Sequence, residues 1–212
     1  MSESTRAVPT TGLILVLSAP SGAGKTSLAR RLIAETPRSL FSVSYTTRKP
    51  RGAEQTGVDY NFVDTLAFKQ KIERGELVEW AEVHDHFYGS PQATIDTALR
   101  EKRLVIYDID VQGGLAIKRK YPEAVLVFVL PPSISELERR LRERGTDSDE
   151  TILKRMLASQ SEIEKGAAGY DYLIHNGDFE SALEDLRAVV IAECCRRGRV
   201  DTSELIGDRR AP

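Results

Sequence analysis

The stretch Ala19-Pro20-Ser21-Gly22-Ala23-Gly24-Lys25-Thr26 carries the residue types that grip a polyphosphate. Gly22 and Gly24 let backbone N–H groups turn toward an anion, and a helix opening at Lys25 adds partial positive charge. The Lys25 ammonium reaches β- and γ-phosphates, and the Thr26 hydroxyl can ligand Mg²⁺. The expected ATP-binding stretch runs from Ala19 through Ser27. Ala19 stands where the general P-loop pattern has glycine, but the Gly-Lys-Thr end and the strand-loop-helix context are kept. Asp108 ends a second apolar run, where a carboxylate faces the crevice beside such a loop and can hold Mg²⁺ through water. Asp110 lies two residues on and competes for that role.

The elements that position these residues follow from hydrophobic period. Residues 13–18 form a continuous apolar run bounded by a Gly-rich turn, as expected of a strand buried on both faces; 104–108, 124–130 and 172–175 resemble it. Helical spacing fills 25–35, 90–101, 111–120 and 133–143, with two more helices after Asp147 and Asp178. Alternating strands and helices imply an α/β fold with a parallel sheet and right-handed crossovers. Residues 44–90 break the rhythm: turn residues and short alternating runs at 60–63 and 77–83 surround one helical patch at 66–74. That segment reads as a small mixed α/β insertion beside the nucleotide site. Residues 145–149 are polar and Gly-containing between two Arg-rich helices, as expected of a hinged lid.

The insertion carries the acceptor information. Ser44-Tyr45-Thr46-Thr47-Arg48-Lys49-Pro50-Arg51, Gly57-Val58-Asp59-Tyr60-Asn61-Phe62, Glu79-Trp80-Ala81-Glu82 and Tyr88-Gly89-Ser90 resemble, in order, the GMP-binding segments of the guanylate kinase family. Asp108-Ile109-Asp110-Val111-Gln112-Gly113, Arg144-Gly145-Thr146 and Lys154-Arg155 are similar to that family as well, so the likeness runs from about residue 13 to 194. It implies a P-loop core with a five-stranded parallel sheet, in one domain spanning 11–212. Its core would comprise 11–43, 91–143 and 166–206, its GMP-binding insertion 44–90 and its helical lid 144–165. It implies that Glu79 reads guanine, that Ser44 and Ser90 hydrogen-bond the base, and that Arg48, Arg51, Tyr60 and Tyr88 hold the GMP phosphate; Asp110 belongs to the GMP side too. It also implies that Lys25, Arg48, Arg144 and Arg155 act on the transferring phosphoryl group, and that Arg140 and Asn176 contact adenine. The residue types agree: guanine offers N1–H and an exocyclic amine as adjacent donors, which one ionised carboxylate accepts together, whereas adenine has an acceptor at N1. Arg139 and Arg142 read as a solvated helix face with i, i+4 ion pairs.

The implied reaction moves the γ-phosphoryl group of ATP to GMP with Mg²⁺. Two other classes share part of the pattern. A binding module on this scaffold usually lacks a complete P-loop or lid, and Lys25, Thr26, Arg144 and Arg155 argue against it; a kinase for a ribose bisphosphate needs no guanine-reading carboxylate, and Glu79, Ser44 and Ser90 argue against that.

Composition narrows the partners. Thirty basic and thirty-two acidic residues leave a net charge of −2, so no overall field draws the chain to nucleic acid or a membrane. No apolar run approaches a bilayer span, and residues 1–12 lack a signal-peptide core, so a cytoplasmic protein is expected, with 1–10 and 207–212 lacking fixed structure. Neighbouring Cys194 and Cys195 are poorly placed for an ordinary disulfide and read as helix packing. His84-Asp85-His86 has too few ligands nearby for zinc, and Leu183, Leu186, Val190 and Ile191 read as core. A homo-oligomer is allowed but not specified by the sequence.

Overall fold

The computed structural model describes residues 11–83, 85–143 and 149–200. The expectations for 1–10, 207–212, His84, Arg144 and the hinge at 145–148 lie outside these residues.

The first strand, β1 (Leu13–Ser18), is buried along its whole length, as its unbroken apolar run requires. It leads through the Gly-rich loop into α1 (Lys25–Glu35) and then β2 (Leu40–Ser42). The insertion supplies β3 (Tyr45–Thr46), β4 (Asn61–Phe62), α2 (Thr65–Glu73), β5 (Leu77–Val83) and β6 (His86–Pro91). The chain then alternates α3 (Gln92–Arg100), β7 (Leu104–Asp108), α4 (Val111–Lys120), β8 (Val125–Leu130), α5 (Ile134–Glu143), α6 (Asp149–Gly169), β9 (Tyr172–His175) and α7 (Phe179–Cys194).

The main sheet has five parallel strands in the order β2-β7-β1-β8-β9. Period-2 alternation sorts β1 between two cores. Leu13, Leu15 and Leu17 meet Leu28 and Leu32 of α1 and Leu183 and Leu186 of α7. Ile14 and Val16 meet Ile95 and Ala98 of α3 and Ile117 of α4. The mixed four-stranded sheet of the insertion runs β4-β3-β6-β5, with β5 and β6 forming an antiparallel hairpin.

Several local expectations change. The fifth core strand, β2, is only three residues long and carries no period of its own; its pairing with β7 makes it a strand. The run at 60–63 contributes just Asn61 and Phe62. Ser90, expected to open a helix, lies in β6, because Pro91 ends the strand in an extended conformation and α3 begins after it. Asp85 of the His-Asp-His segment takes φ 62° at the hairpin tip, a turn geometry. Ile191 is 42% exposed and leaves the α7 core stripe, whereas Val190 is partly buried and packs against the core that Leu183 and Leu186 enter with Ala182 and Cys194.

Aspartate caps open three of the helices, while α1 and α3 start without a side-chain cap. Asp64, Asp110 and Asp178 each accept a backbone N–H of the first turn of α2, α4 and α7. The residue in that place before α1 is Gly24, at φ 91°, with no side-chain cap and no acid in the first turn. The α1 terminus therefore keeps its positive end for another acceptor.

At Gly114 the α4 backbone approaches so closely that an added Cβ would overlap the Tyr170 hydroxyl and lie 3.3 Å from Val16 Cγ1. Gly114→Ala is expected to lower unfolding free energy by about 1–3 kcal/mol, read from the urea midpoint at unchanged m-value.

Candidate active site

The site lies at the carboxyl ends of β1 and β7, the edge where open α/β sheets bind ligands. The loop after β1 closes on itself through the Ala23 N–H donating to Pro20 O at 3.1 Å. Pro20 and Ala23 are buried, while Ser21, Thr26 and Ser27 are exposed toward the open side. The Lys25 ammonium sits 2.6 Å from Asp108 Oδ1 and donates to the Ile109 carbonyl at 2.7 Å. Asp110 instead caps α4, accepting from the Gly113 N–H at 2.7 Å. The two aspartates are thus divided: Asp108 faces the phosphate loop, and Asp110 holds the next helix.

A buried hydroxyl relay ties these pieces together. Tyr170, just before β9, donates to Ser18 Oγ at 2.6 Å, and Ser18 donates to the Asp110 carbonyl at 3.1 Å. Burial pushes the Tyr170 hydroxyl pKa up, which keeps it a donor. Its ring packs edge-on to Phe128, so the end of β1, the start of α4 and the entry to β9 share one anchor. Sequence reasoning had no signal for this, because a tyrosine beside a strand is an ordinary core residue until its partners are known.

On the insertion, Glu79 Oε1 accepts from Ser90 Oγ at 2.6 Å, and Ser90 lies 3.3 Å from Ser44 Oγ. A bulge in β5 makes this possible: Leu77 pairs with Pro91, then Glu79 rather than Val78 pairs with Ser90. Burial pushes the Glu79 carboxyl up to about 7, with Asp110 adding like charge and the Ser90 hydrogen bond partly opposing. A Cβ on Gly113 would stand 2.9 Å from Glu79 Oε2, so α4 begins directly against the carboxylate.

The other predicted insertion residues form a second group. Arg48 is 7% exposed. Its guanidinium donates to Glu54 at 2.9 Å and to the Lys49 carbonyl at 2.8 Å, and lies 5.3 Å from the Tyr60 ring centre. Glu54 first, then Tyr88, stabilise the protonated guanidinium and raise its pKa, with burial opposing. Tyr60 and Tyr88 meet edge to face at 6.0 Å. The Arg51 N–H donates to Glu54 at 2.8 Å, while the Arg51 side chain is exposed. Glu54, which composition did not single out, therefore holds the Arg48 guanidinium and the Arg51 backbone. Burial, followed by the nearby Asp108 charge, raises the Tyr60 pKa.

Arg139 and Arg142 are spent on ion pairs along the α5 surface, to Glu136 and Glu143, and to Glu138 and Asp149. Arg140 donates to Glu136 at 2.8 Å. Arg155 stands one turn before buried Ser159 and two turns before half-buried Glu162 on α6. Burial first, then Asp110, raises the Glu162 pKa, and Lys25 lowers it. Asn176 is buried against the loop, donating to the Ala23 carbonyl at 2.6 Å.

Among the described residues no group of three His, Cys, Asp or Glu forms a metal cage, and no helix is long and apolar enough to cross a membrane. Thr26 and Asp108 offer hard oxygens, a set that suits Mg²⁺ carried in on nucleotide phosphates, since that ion keeps several waters and takes few protein ligands.

Tyr170→Phe removes one buried donor and leaves Ser18 with an unfilled acceptor site. A loss of about 1–3 kcal/mol in unfolding free energy is expected, measured by urea denaturation; an unchanged midpoint would show that the relay holds nothing.

Comparison with known proteins agrees with the geometry. The sequence model described as guanylate kinase matches residues 12–193. The chain is 68% identical over 194 residues to a guanylate kinase of Myxococcus xanthus, covering 92% of this chain and 93% of that one. It is 53% identical over 192 residues to a guanylate kinase of Anaeromyxobacter dehalogenans, covering 90% and 85%. The crystal structure of guanylate kinase from Anaplasma phagocytophilum superposes with a TM-score of 0.77 at 32% identity, covering 96% of this chain and 97% of that one. With a phosphate loop and a carboxylate-bearing insertion opening on one crevice, and this likeness along nearly its whole length, the chain belongs to the guanylate kinase family.

Proposed function

We propose that the chain carries out the reaction of its family, ATP + GMP → ADP + GDP, at the crevice between the phosphate loop and the insertion. The observation that carries this reading is the closure of the insertion onto the edge that bears the loop. Glu79 of the insertion lies against Gly113 at the start of α4, and β7, which leads into α4, ends in Asp108, which holds Lys25. A donor triphosphate on 19–27 and an acceptor phosphate on Arg48, Arg51, Tyr60 and Tyr88 would meet there.

The acceptor is a phosphate monoester with a second pKa near ~6, so it is largely dianionic at neutral pH and needs no general base. The chemical difficulty is bringing two polyanions together, which positioning and charge neutralisation answer. Lys25 exchanges its hold on Asp108 for the ATP phosphates, while Arg48 and Arg51 grip the GMP phosphate. Mg²⁺ bound with the nucleotide supplies further neutralisation, and Thr26 and, through water, Asp108 would hold it. Asp110, engaged as a helix cap beside Glu79, suits the GMP side. Glu79 with Ser44 and Ser90 reads guanine, and Arg140 lies on α5 behind the loop as a contact for adenine. Transfer is direct and in line, without a phosphoenzyme. Residues 144–165 act as a lid that brings Arg144 and Arg155 to the transferring group and excludes water, and 44–90 act as the GMP-binding insertion. The protein works in the cytoplasm on small-molecule substrates, in purine nucleotide recycling.

The decisive assay is ADP release from Mg²⁺-ATP with GMP, AMP, UMP or ribose 1,5-bisphosphate. Turnover with GMP alone is expected, and Glu79→Ala should cost about 1–3 kcal/mol in kcat/KM for GMP. Turnover of another acceptor at equal rate would overturn the assignment.

The Glu79 environment adds a pH signature. A protonated carboxyl presents a donor to the guanine donors, so only the ionised form reads the base. With the carboxyl pushed up to about 7, the ionised fraction grows as pH rises through that value. KM for GMP should therefore climb as pH falls below about 7, toward tenfold per pH unit. Steady-state kinetics between about pH 6 and 8 should show the step, and Glu79→Gln should abolish it. A profile identical in the variant would assign the step to the GMP phosphate instead.

A further inference from the structure

Asn176 follows β9 and is 4% exposed, although His175 and Gly177 beside it are exposed. Its backbone N–H donates to Leu130 O at 2.8 Å, so the sheet ladder fixes where it stands. Its side-chain amide nitrogen donates to the Ala23 carbonyl at 2.6 Å, across 153 residues of sequence. A Cβ on Gly24 would collide with that same nitrogen, so the amide lies directly against the Gly24 backbone. On its other side the loop is backed by α5, whose Leu137 Cδ1 would be 3.3 Å from a Cβ on Gly22.

Peptide geometry carries this contact to the opposite side of the loop. In a planar trans peptide the C=O of one residue and the N–H of the next point in opposite directions. Holding the Ala23 carbonyl outward, toward Asn176, therefore holds the Gly24 N–H inward. The Ala23 N–H is already used within the turn, on Pro20 O. Gly24 thus opens the run of N–H groups that leads into the uncapped terminus of α1.

We propose that Asn176 is a positioning residue for phosphoryl transfer: its amide pins the Ala23–Gly24 peptide so that the Gly24 N–H faces the ATP phosphates. This rests on the reading of 19–27 as the ATP phosphate loop. It gives the Asn176 amide to the loop instead of to adenine, the contact that family resemblance implies. The sheet edge at β9 is then part of the phosphate site, because the strand places the amide that shapes the loop.

Inorganic tripolyphosphate separates the two roles, since it has phosphates and no base. Its affinity would be measured by calorimetry for the wild type, Lys25→Met, Asn176→Ala and Asn176→Ser, alongside ATP kinetics, with GMP affinity as the check on folding. Both Asn176 variants should lose about 10- to 100-fold in tripolyphosphate affinity and in kcat/KM for ATP, with GMP affinity unchanged. Full tripolyphosphate affinity with a raised KM for ATP would overturn the proposal in favour of a base contact. Loss of tripolyphosphate binding in Lys25→Met but not in the Asn176 variants would sink this inference alone; retention in all three would sink the phosphate-loop reading with it. Should the alanine variant lose GMP affinity as well, the serine variant decides, and the same loss there would make Asn176 a general structural residue and overturn the proposal.

Discussion

Parallel pairing of β1 with β7 is the constraint on which the site depends. It sets Leu17 beside Asp108, so the loop that follows β1 and the acid that ends β7 emerge at the same edge. Lys25 and Asp108 then meet at 2.6 Å, and the Ile109 carbonyl completes the ammonium's partners. A lysine in this crevice without a counter-charge would carry a desolvation cost of several kcal/mol. The pair keeps the charge compensated, and under the proposed function it stays exchangeable, because an incoming polyphosphate offers more negative charge than one carboxylate. The Tyr170–Ser18 relay and the Asp110 cap keep the two strand ends in register with α4 and β9.

The insertion is built on a different rule. Its sheet is small and mixed, and its polar residues come together through cross-strand pairing rather than through a strand edge. The bulge after Leu77 puts Glu79 opposite Ser90, and α4 closes against the carboxylate from the far side. Burial there has a chemical use. A carboxyl whose ionisation is finely balanced costs less to keep buried than a fixed charge, and under the proposed function it becomes a bidentate acceptor when two guanine donors arrive. Arg48 is arranged the opposite way, its charge stabilised by Glu54 and its flat face laid on Tyr60. The arginine with its counter-charge and the buried carboxylate are thus held by separate groups within the insertion, and the proposed function gives the first to phosphate and the second to the base.

Much of this was legible in the residues. The strand at Leu13–Ser18, the helices Lys25–Glu35 and Val111–Lys120, and the strand Leu104–Asp108 follow from apolar period and Gly punctuation alone. The core strand Leu40–Ser42 did not, because three residues have no measurable period and become a strand only beside β7. The hairpin β5–β6 hid for a related reason: its second strand is broken by Gly89 and Pro91, and its identity comes from pairing with β5. Glu54, Tyr170 and Glu162 carried no signal, since a surface acid or a core tyrosine has the same local sequence whether or not it faces a site.

By itself the sequence determined a Gly-rich loop of the phosphate-binding pattern between a buried strand and a helix, an acid at the end of a core strand, and an insertion whose arginines, tyrosines and serines stand with Glu79. Those are local matters, set by spacing along the chain. The tertiary structure alone decided the rest: that Asp108 rather than Asp110 meets Lys25, that the bulge turns Glu79 onto Ser90, and that Asn176 reaches back 153 residues to the Ala23 carbonyl. Each is a choice of partner, the first two between residues one or two positions apart and the third across the length of the chain. Sequence period cannot resolve it, because strand register, a single extra residue in a bulge and the capping of a helix all depend on what the rest of the chain brings alongside.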